Sequence, residues 1–349
     1  MSQYKKSVNE DYKKLDLAMK ENQIGNFYIF HGEEHYLRDC YLEMLRKKLC
    51  PNGLDGFNYR RFEGADLTSN VLENSIDMLP VFAERTLIEI HDFDLFSKKA
   101  DNSSTESPLV SILSTLPDYV CVLFVFNTVV YKPDKRLKAT KEIIKHAQII
   151  EFAVQNQSNL IKWMTSHYSN IGKRIGKSEA EYLIHITGGF MAAIKNEIEK
   201  TAAHSKSDYI TRADIDAVVI PVLDAVVYQL TDSLIKREHK KAMKILDELL
   251  RMREAPQKLI FSISLKFRQL LAARICIENN LGKSSLVEMC SLTHDFQAGM
   301  LFDTARKSTL PACRQAVIDC AKAAFDLNSA PDPESRMIEL VAKLALSKV

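Results

Sequence analysis

The sequence contains no apolar run approaching the ~20 residues that a membrane-spanning helix needs; even the longest, such as Val120 to Phe126, is far shorter. Its opening stretch, MSQYKKSVNEDYKKLDLAMK, carries charge throughout and lacks the apolar segment and small-residue cleavage site of a secretory signal. The expectation is a cytoplasmic protein with no membrane partner. Paired cysteines are missing as well. Cys40, Cys50, Cys121, Cys276, Cys290, Cys313 and Cys320 are scattered, odd in number and never in a CxxC pair, which reads as reduced thiols and not as a disulfide framework or a zinc site. Nor is there an excess of one charge: Lys plus Arg at 47 against Asp plus Glu at 45 leaves +2. That is too little to argue for nucleic acid by itself, so any DNA contact must come from a local patch. Internal repeats and low-complexity tracts are also lacking, and the polar stretch Ser97 to Ser107 is the one segment that reads as a long loop.

What is present is an ordinary globular balance, 46% hydrophobic and 26% charged, on a chain of 349 residues. That length exceeds what one core usually serves, so two or three domains are expected. The first 150 residues alternate short apolar, β-rich runs with stretches of helical periodicity. Strands are expected at Phe27 to Phe30, Asn58 to Phe62, Arg85 to Ile90, Val120 to Phe126 and Ile149 to Phe152. Helices are expected around Tyr36 to Leu49, Ser69 to Leu79, Pro108 to Leu116 and Lys135 to His146. A run such as VCVLFVF suits a strand covered on both faces, as in a parallel sheet flanked by helices. An earlier amphipathic helix carries Val8, Tyr12, Leu15 and Met19 on one stripe.

After Phe152 the strand signal stops. Residues 158–219 read as short helices, with capping-box spacing at Ser178 and Glu181 and an imitation of it at Thr211 and Asp214. Gly188 and Gly189 are placed to break one helix from the next. Longer helices follow, one with the stripe Leu223, Val226, Val227, Leu230 and Leu234, and one with Ala242, Ile245, Leu246, Leu249 and Leu250. Pro256 opens a third, with Leu259, Ile263, Phe267, Leu270 and Leu271. The fold class is therefore α/β plus all-α, with divisions at 1–152, 153–219 and 220–349.

The first strand and turn, FYIFHGEE, stand where a nucleotide-binding α/β protein places its phosphate loop, but the G-x-x-x-x-G-K-[ST] chemistry is missing. Gly32 is followed by Glu33, Glu34 and His35, and two carboxylates there repel a triphosphate. His31 to His35 also spell H-x-x-E-H; with His31 ending a strand and Gly32 turning, the two histidines do not share a helical face, and no metal or cofactor is expected. The strand TLIEIHDFD ends in acidic residues, which without a phosphate loop read as capping a turn. A sharper feature is Ile76 to Arg85. A helix with the stripe Val71, Leu72, Ile76 and Leu79 must stop at Pro80, leaving Val81 and Phe82 in a short loop. Two adjacent apolar residues there either offer a compact anchor for a partner's pocket or send Phe82 back under the helix. Spacing leaves both open.

FYIFHGEEHYLRD resembles the opening of the DNA polymerase III delta subunit family, and LPVFAERTLIEI resembles a second stretch of it. IKWMTSHYSNIGKRIGKSEAEYLIHITGGFMAAIKNEIEK is similar to that family's lid, and AMKILDELLRMREAPQKLIFSISLKFRQLLAAR to its third-domain helices. The likeness covers Phe27 to Arg274 and thins beyond Asn279. It implies an AAA+-like parallel five-stranded sheet domain without a working Walker A loop, a small helical lid and a C-terminal helical collar. It also implies a non-ATPase subunit of the DNA polymerase III clamp loader, inside a holoenzyme that is a DNA-directed DNA polymerase. The implied partners are the beta sliding clamp, delta-prime and gamma or tau subunits, and primed DNA in the complex. The clamp-opening wedge carries over to Val81 and Phe82, with Met78 and Leu79 in support, and clamp opening is implied to follow when ATP on partner subunits exposes it. Val81 stands where Leu is common, one methylene shorter, worth ~0.8 kcal/mol if buried. Two rival functions are a divergent AAA+ ATPase and a DNA-binding or regulatory scaffold using Lys236 to Lys244 or Lys266 to Arg274, segments that also read as solvated helix faces.

Overall fold

The computed structural model describes residues 11–50, 55–96, 108–251, 254–292, 295–327 and 332–346; Val8 and the polar stretch 97–107 lie outside them. The chain divides into two compact units, residues 1–154 and 155–349. In the first, β1 (Phe27–His31), β2 (Tyr59–Glu63), β3 (Thr86–His91), β4 (Val120–Val125) and β5 (Gln148–Glu151) form one parallel sheet in the order β2-β3-β4-β1-β5. Helices α1 (Asp11–Lys20), α2 (His35–Leu49), the single turn α3 (Asp55–Asn58), α4 (Ser69–Ile76), α5 (Pro108–Ser114) and α6 (Lys138–His146) alternate with the strands.

The pleat sorts the strand residues to two faces. Phe27, Ile29, Ile88, Ile90, Val122 and Phe124 pack with Leu72 and Ile76 of α4, Leu109 and Leu113 of α5, and Ile143 of α6. Tyr28, Phe30, Leu87, Cys121, Leu123 and Val125 pack with Leu15 and Met19 of α1 and Leu42, Leu45 and Leu49 of α2. Both faces are covered, which is why β3 and β4 are buried along their whole length. The five strands fall where the sequence places them, with no end shifted by more than one residue.

Helix α4 is shorter than its apolar spacing predicts. It closes at Ile76, with the Asp77 N–H donating to the Glu73 carbonyl at 2.9 Å, so Leu79 is not part of its core stripe. The residue before a proline is driven out of the helical region, and the chain here leaves the helix two residues ahead of that limit.

The second unit begins with α7 (Gln157–Asn170), α8 (Lys177–Thr187), α9 (Met191–His204) and α10 (Arg212–Val218). Two-residue strands β6 (Arg174–Ile175) and β7 (Tyr209–Ile210) pair in parallel between them, a feature too short for a period of two to announce. At α10 the capping box forms: Asp214 N–H donates to Thr211 Oγ1 at 3.3 Å, and Thr211 N–H to Asp214 Oδ2 at 2.9 Å. At α8 it does not, because extended Gly176 takes the cap position and leaves Ser178 inside the helix. Gly188, left-handed at φ 82°, ends α8 as its position predicts.

Then α11 (Leu223–Ile235), α12 (His239–Arg251), α13 (Pro256–Glu278), α14 (Lys283–Cys290), α15 (Asp295–Ala305), α16 (Leu310–Leu327) and α17 (Pro333–Leu346) bury one continuous core that begins at Val226. Pro256 is the first residue of α13, where its missing N–H costs nothing. Among the described residues no single helix is long and apolar enough to cross a membrane.

Candidate functional site

The loop from Asp77 to Arg85 leaves α4 and enters β3, and its apolar residues point away from the protein. Phe82 is 92% exposed, Leu79 69%, Met78 51% and Val81 39%. Phe82 adopts φ +52°, a left-handed conformation uncommon for a bulky non-glycine residue. The backbone beneath it is held. The fully buried Asn58, at the junction of α3 and β2, donates from Nδ2 to the Val81 carbonyl at 2.7 Å and accepts the Val81 N–H on Oδ1 at 2.7 Å. Asn58 is held in turn, its carbonyl accepting the Cys50 thiol at 3.3 Å.

Both ends of the loop are tied as well. Arg60 on β2 donates to the Ser75 carbonyl at 3.1 Å, closing the last turn of α4. The Arg85 guanidinium reaches the carbonyls of Ile24, Gly25 and Val120 and the Asn26 side chain at 2.5 to 3.1 Å. The arrangement is an exposed apolar cluster on a fixed backbone. Such a surface loses little conformational entropy when a partner covers it.

Elsewhere the sheet carries polar groups that serve structure. Glu89 on β3 is fully buried and accepts from Arg46 at 2.7 and 2.6 Å, from the Tyr59 hydroxyl at 3.1 Å and from His91 Nε2 at 3.2 Å. His91 Nδ1 lies 3.2 Å from the Asn127 amide donor, which leaves the proton on Nε2 facing Glu89. Burial pushes the Glu89 carboxyl up, but hydrogen bonds from His91, Arg46 and Tyr59 outweigh it and hold it below the usual carboxylate range. Asp92, at the end of β3, is opposed by burial yet lowered to about 2 by the N–H groups of Val129, Asn127 and Thr128. The acidic strand end therefore caps a turn, the one after β4 instead of its own.

At the C-terminal end of β1 the Gly32 turn packs directly on the backbone of Phe152. Gly32 sits at φ +123°, where a Cβ would lie 2.3 Å from the Phe152 carbonyl oxygen, and that oxygen accepts the Glu34 N–H at 2.9 Å. His31 ends β1 and stacks on Tyr131 at 3.9 Å between ring centroids, whereas His35 opens α2. Burial lowers the His31 imidazole below its ordinary value.

Two family models match, "DNA polymerase III, delta subunit" over residues 28–153 and "DNA polymerase III delta subunit, C-terminal domain" over residues 224–343. The chain belongs to the DNA polymerase III delta subunit family. The DNA polymerase III subunit delta of Bacillus subtilis (strain 168) is 23% identical over 330 residues, 93% of each chain. The probable DNA polymerase III subunit delta of Aquifex aeolicus (strain VF5) is 23% identical over 247 residues, covering 68% of this chain and 69% of that one. The solved Bacillus subtilis DNA clamp loader delta protein superposes with a TM-score of 0.61 at 20% identity, over 96% of this chain and 99% of that structure. The fold is thus the AAA+-like one of that clamp loader delta protein.

In this delta chain all four residues singled out from sequence, Met78, Leu79, Val81 and Phe82, lie together on one exposed loop. Asn58 was not singled out. It stands 23 residues from Val81, and no local pattern signals an amide reaching across that gap. Several charges of the basic segments are engaged within the protein. Lys266 is buried against Asp224 at 3.3 Å, Lys236 pairs with Asp232 at 2.6 Å, and Arg274 with Glu278 at 3.1 Å.

Proposed function

We propose that this delta chain binds the beta sliding clamp through Val81 and Phe82, supported by Met78 and Leu79, and opens it for loading onto primed DNA. The observation that carries this reading is Phe82, 92% exposed on a loop whose backbone is anchored to the sheet. An aromatic so exposed on a rigid support is the form of an interface anchor. Inserted beside the ring's subunit interface, the wedge favours the open ring by the difference between its affinities for the open and closed forms. The partners that complete the machine are delta-prime and gamma or tau subunits, assembled through the helical region from residue 220 onward, with the helices of 153–219 acting as a lid.

The chain hydrolyses no ATP on this reading; the Gly32 turn packed on the Phe152 carbonyl supports it. Burial of a Phe side chain is worth roughly 1.5–3 kcal/mol, so Phe82→Ala is expected to weaken clamp binding by about 10- to 100-fold, read by surface plasmon resonance. Val81→Asp with Phe82→Ala should abolish clamp retention in a pull-down, and retention would overturn the assignment. Titration calorimetry should register no magnesium-ATP binding to the purified chain; micromolar binding would sink the nucleotide-free reading.

A further inference from the structure

We infer that Asn58 is the positioning residue of the clamp-binding loop, the group that fixes Val81 in place and thereby holds Phe82 in its projecting, left-handed conformation. This deepens the proposed function and rests on it. The Asn58 side chain reproduces with one amide plane the donor and acceptor pair that a neighbouring strand would present: its Nδ2 donates to the Val81 carbonyl and its Oδ1 accepts the Val81 N–H, each at 2.7 Å. The reverse orientation of the amide would set donor against donor and acceptor against acceptor, so the assignment is fixed by the network.

Asn is the residue type that fits. Asp offers acceptors alone when ionised and would face the Val81 carbonyl with a negative charge. Gln carries the same amide one methylene further out, and Ala and Ser supply at most one of the two bonds. Burial completes the argument: with Asn58 inaccessible to solvent, a partner lost from either bond is not replaced by water, which makes the pairing costly to break. Because β2 is an outer strand of the sheet, the residue opening into it is free to pair with a loop instead of another strand. The bulky Phe82 at φ +52° needs such an over-determined neighbour to persist.

Three measurements on the full chain test this. The first is clamp affinity of Asn58→Ala, Phe82→Ala and the double variant. Asn58→Ala should weaken binding about 10-fold, and adding it to Phe82→Ala should cause less than about a 2-fold further loss, since the amide acts through the anchor it positions. The second is hydrogen exchange at the Val81 amide, which should speed up in Asn58→Ala before the sheet amides do. The third is a control, Leu15→Ala, on α1 in the core of the sheet face opposite to the one that packs α4: it should lower Tm while leaving clamp affinity within about 2-fold. If Asn58→Ala does not fold, Asn58→Ser replaces it in all three.

An unchanged affinity in Asn58→Ala, or an equal loss in the presence and absence of Phe82, would overturn the inference and leave the clamp reading standing. If Phe82→Ala itself leaves binding unchanged, the clamp reading falls and this inference with it.

Discussion

At the scale of single residues, the Glu89 cluster concentrates the electrostatic stability of the first unit. A carboxylate with no solvent access tolerates burial only while its donors are present, and removing one member of such a pair costs about 3 kcal/mol. Arg46→Met is therefore expected to lower unfolding stability by about that amount in urea denaturation, softened by the Tyr59 and His91 bonds that remain. Asp92 adds a pH dependence whose sign is set by its depressed carboxyl. The unfolded group titrates near 3.9 and the folded one near 2, so its stabilisation is present above about pH 4 and lost as pH falls toward 2. Asp92→Asn should flatten the acid limb of a stability-versus-pH curve across that window, with little change in its shape near neutrality. The capping role of the acidic strand end was legible from sequence, though not that Asp92 caps the turn after β4; the Glu89 cluster was not, since nothing in the sequence marks Arg46 as its partner.

At the scale of elements, periodicity carried the reading and capping marked its limits. The burial of β4 on both faces, from its near-continuous apolar run, and the stripes of α11, α12 and α13 were read directly, because burial acts on every residue of the pattern. The end of α4 was misplaced, since the Leu79 spacing agreed with a helical stripe while Pro80 constrained the backbone that would have carried it. Exposure of Phe82 was left undecided because the competition between core and solvent turns on Asn58, distant in sequence. Of the two capping-box spacings, one is occupied and one displaced by Gly176, a difference set by backbone shape before the helix. Thr211→Ala should therefore cost about 1 kcal/mol through the lost cap of α10, seen as a lower Tm, whereas Ser178→Ala should be near neutral by the same measurement.

At the scale of the whole molecule, the family models cover the sheet unit and the long helices separately, and the two compact units show that contacts cluster on either side of residue 154. The helices of 153–219, which fall between the two matched regions, were read from the sequence as a small domain of their own, and in the structure they belong to the same compact unit as the longer helices that follow. The Gly32 turn sets a limit on what that position accepts. With φ at +123° and the Phe152 carbonyl oxygen 2.3 Å from where a Cβ would sit, any side chain there has to part the end of β5 from the turn into α2, so the seam where the first and last strands of the sheet meet admits glycine alone.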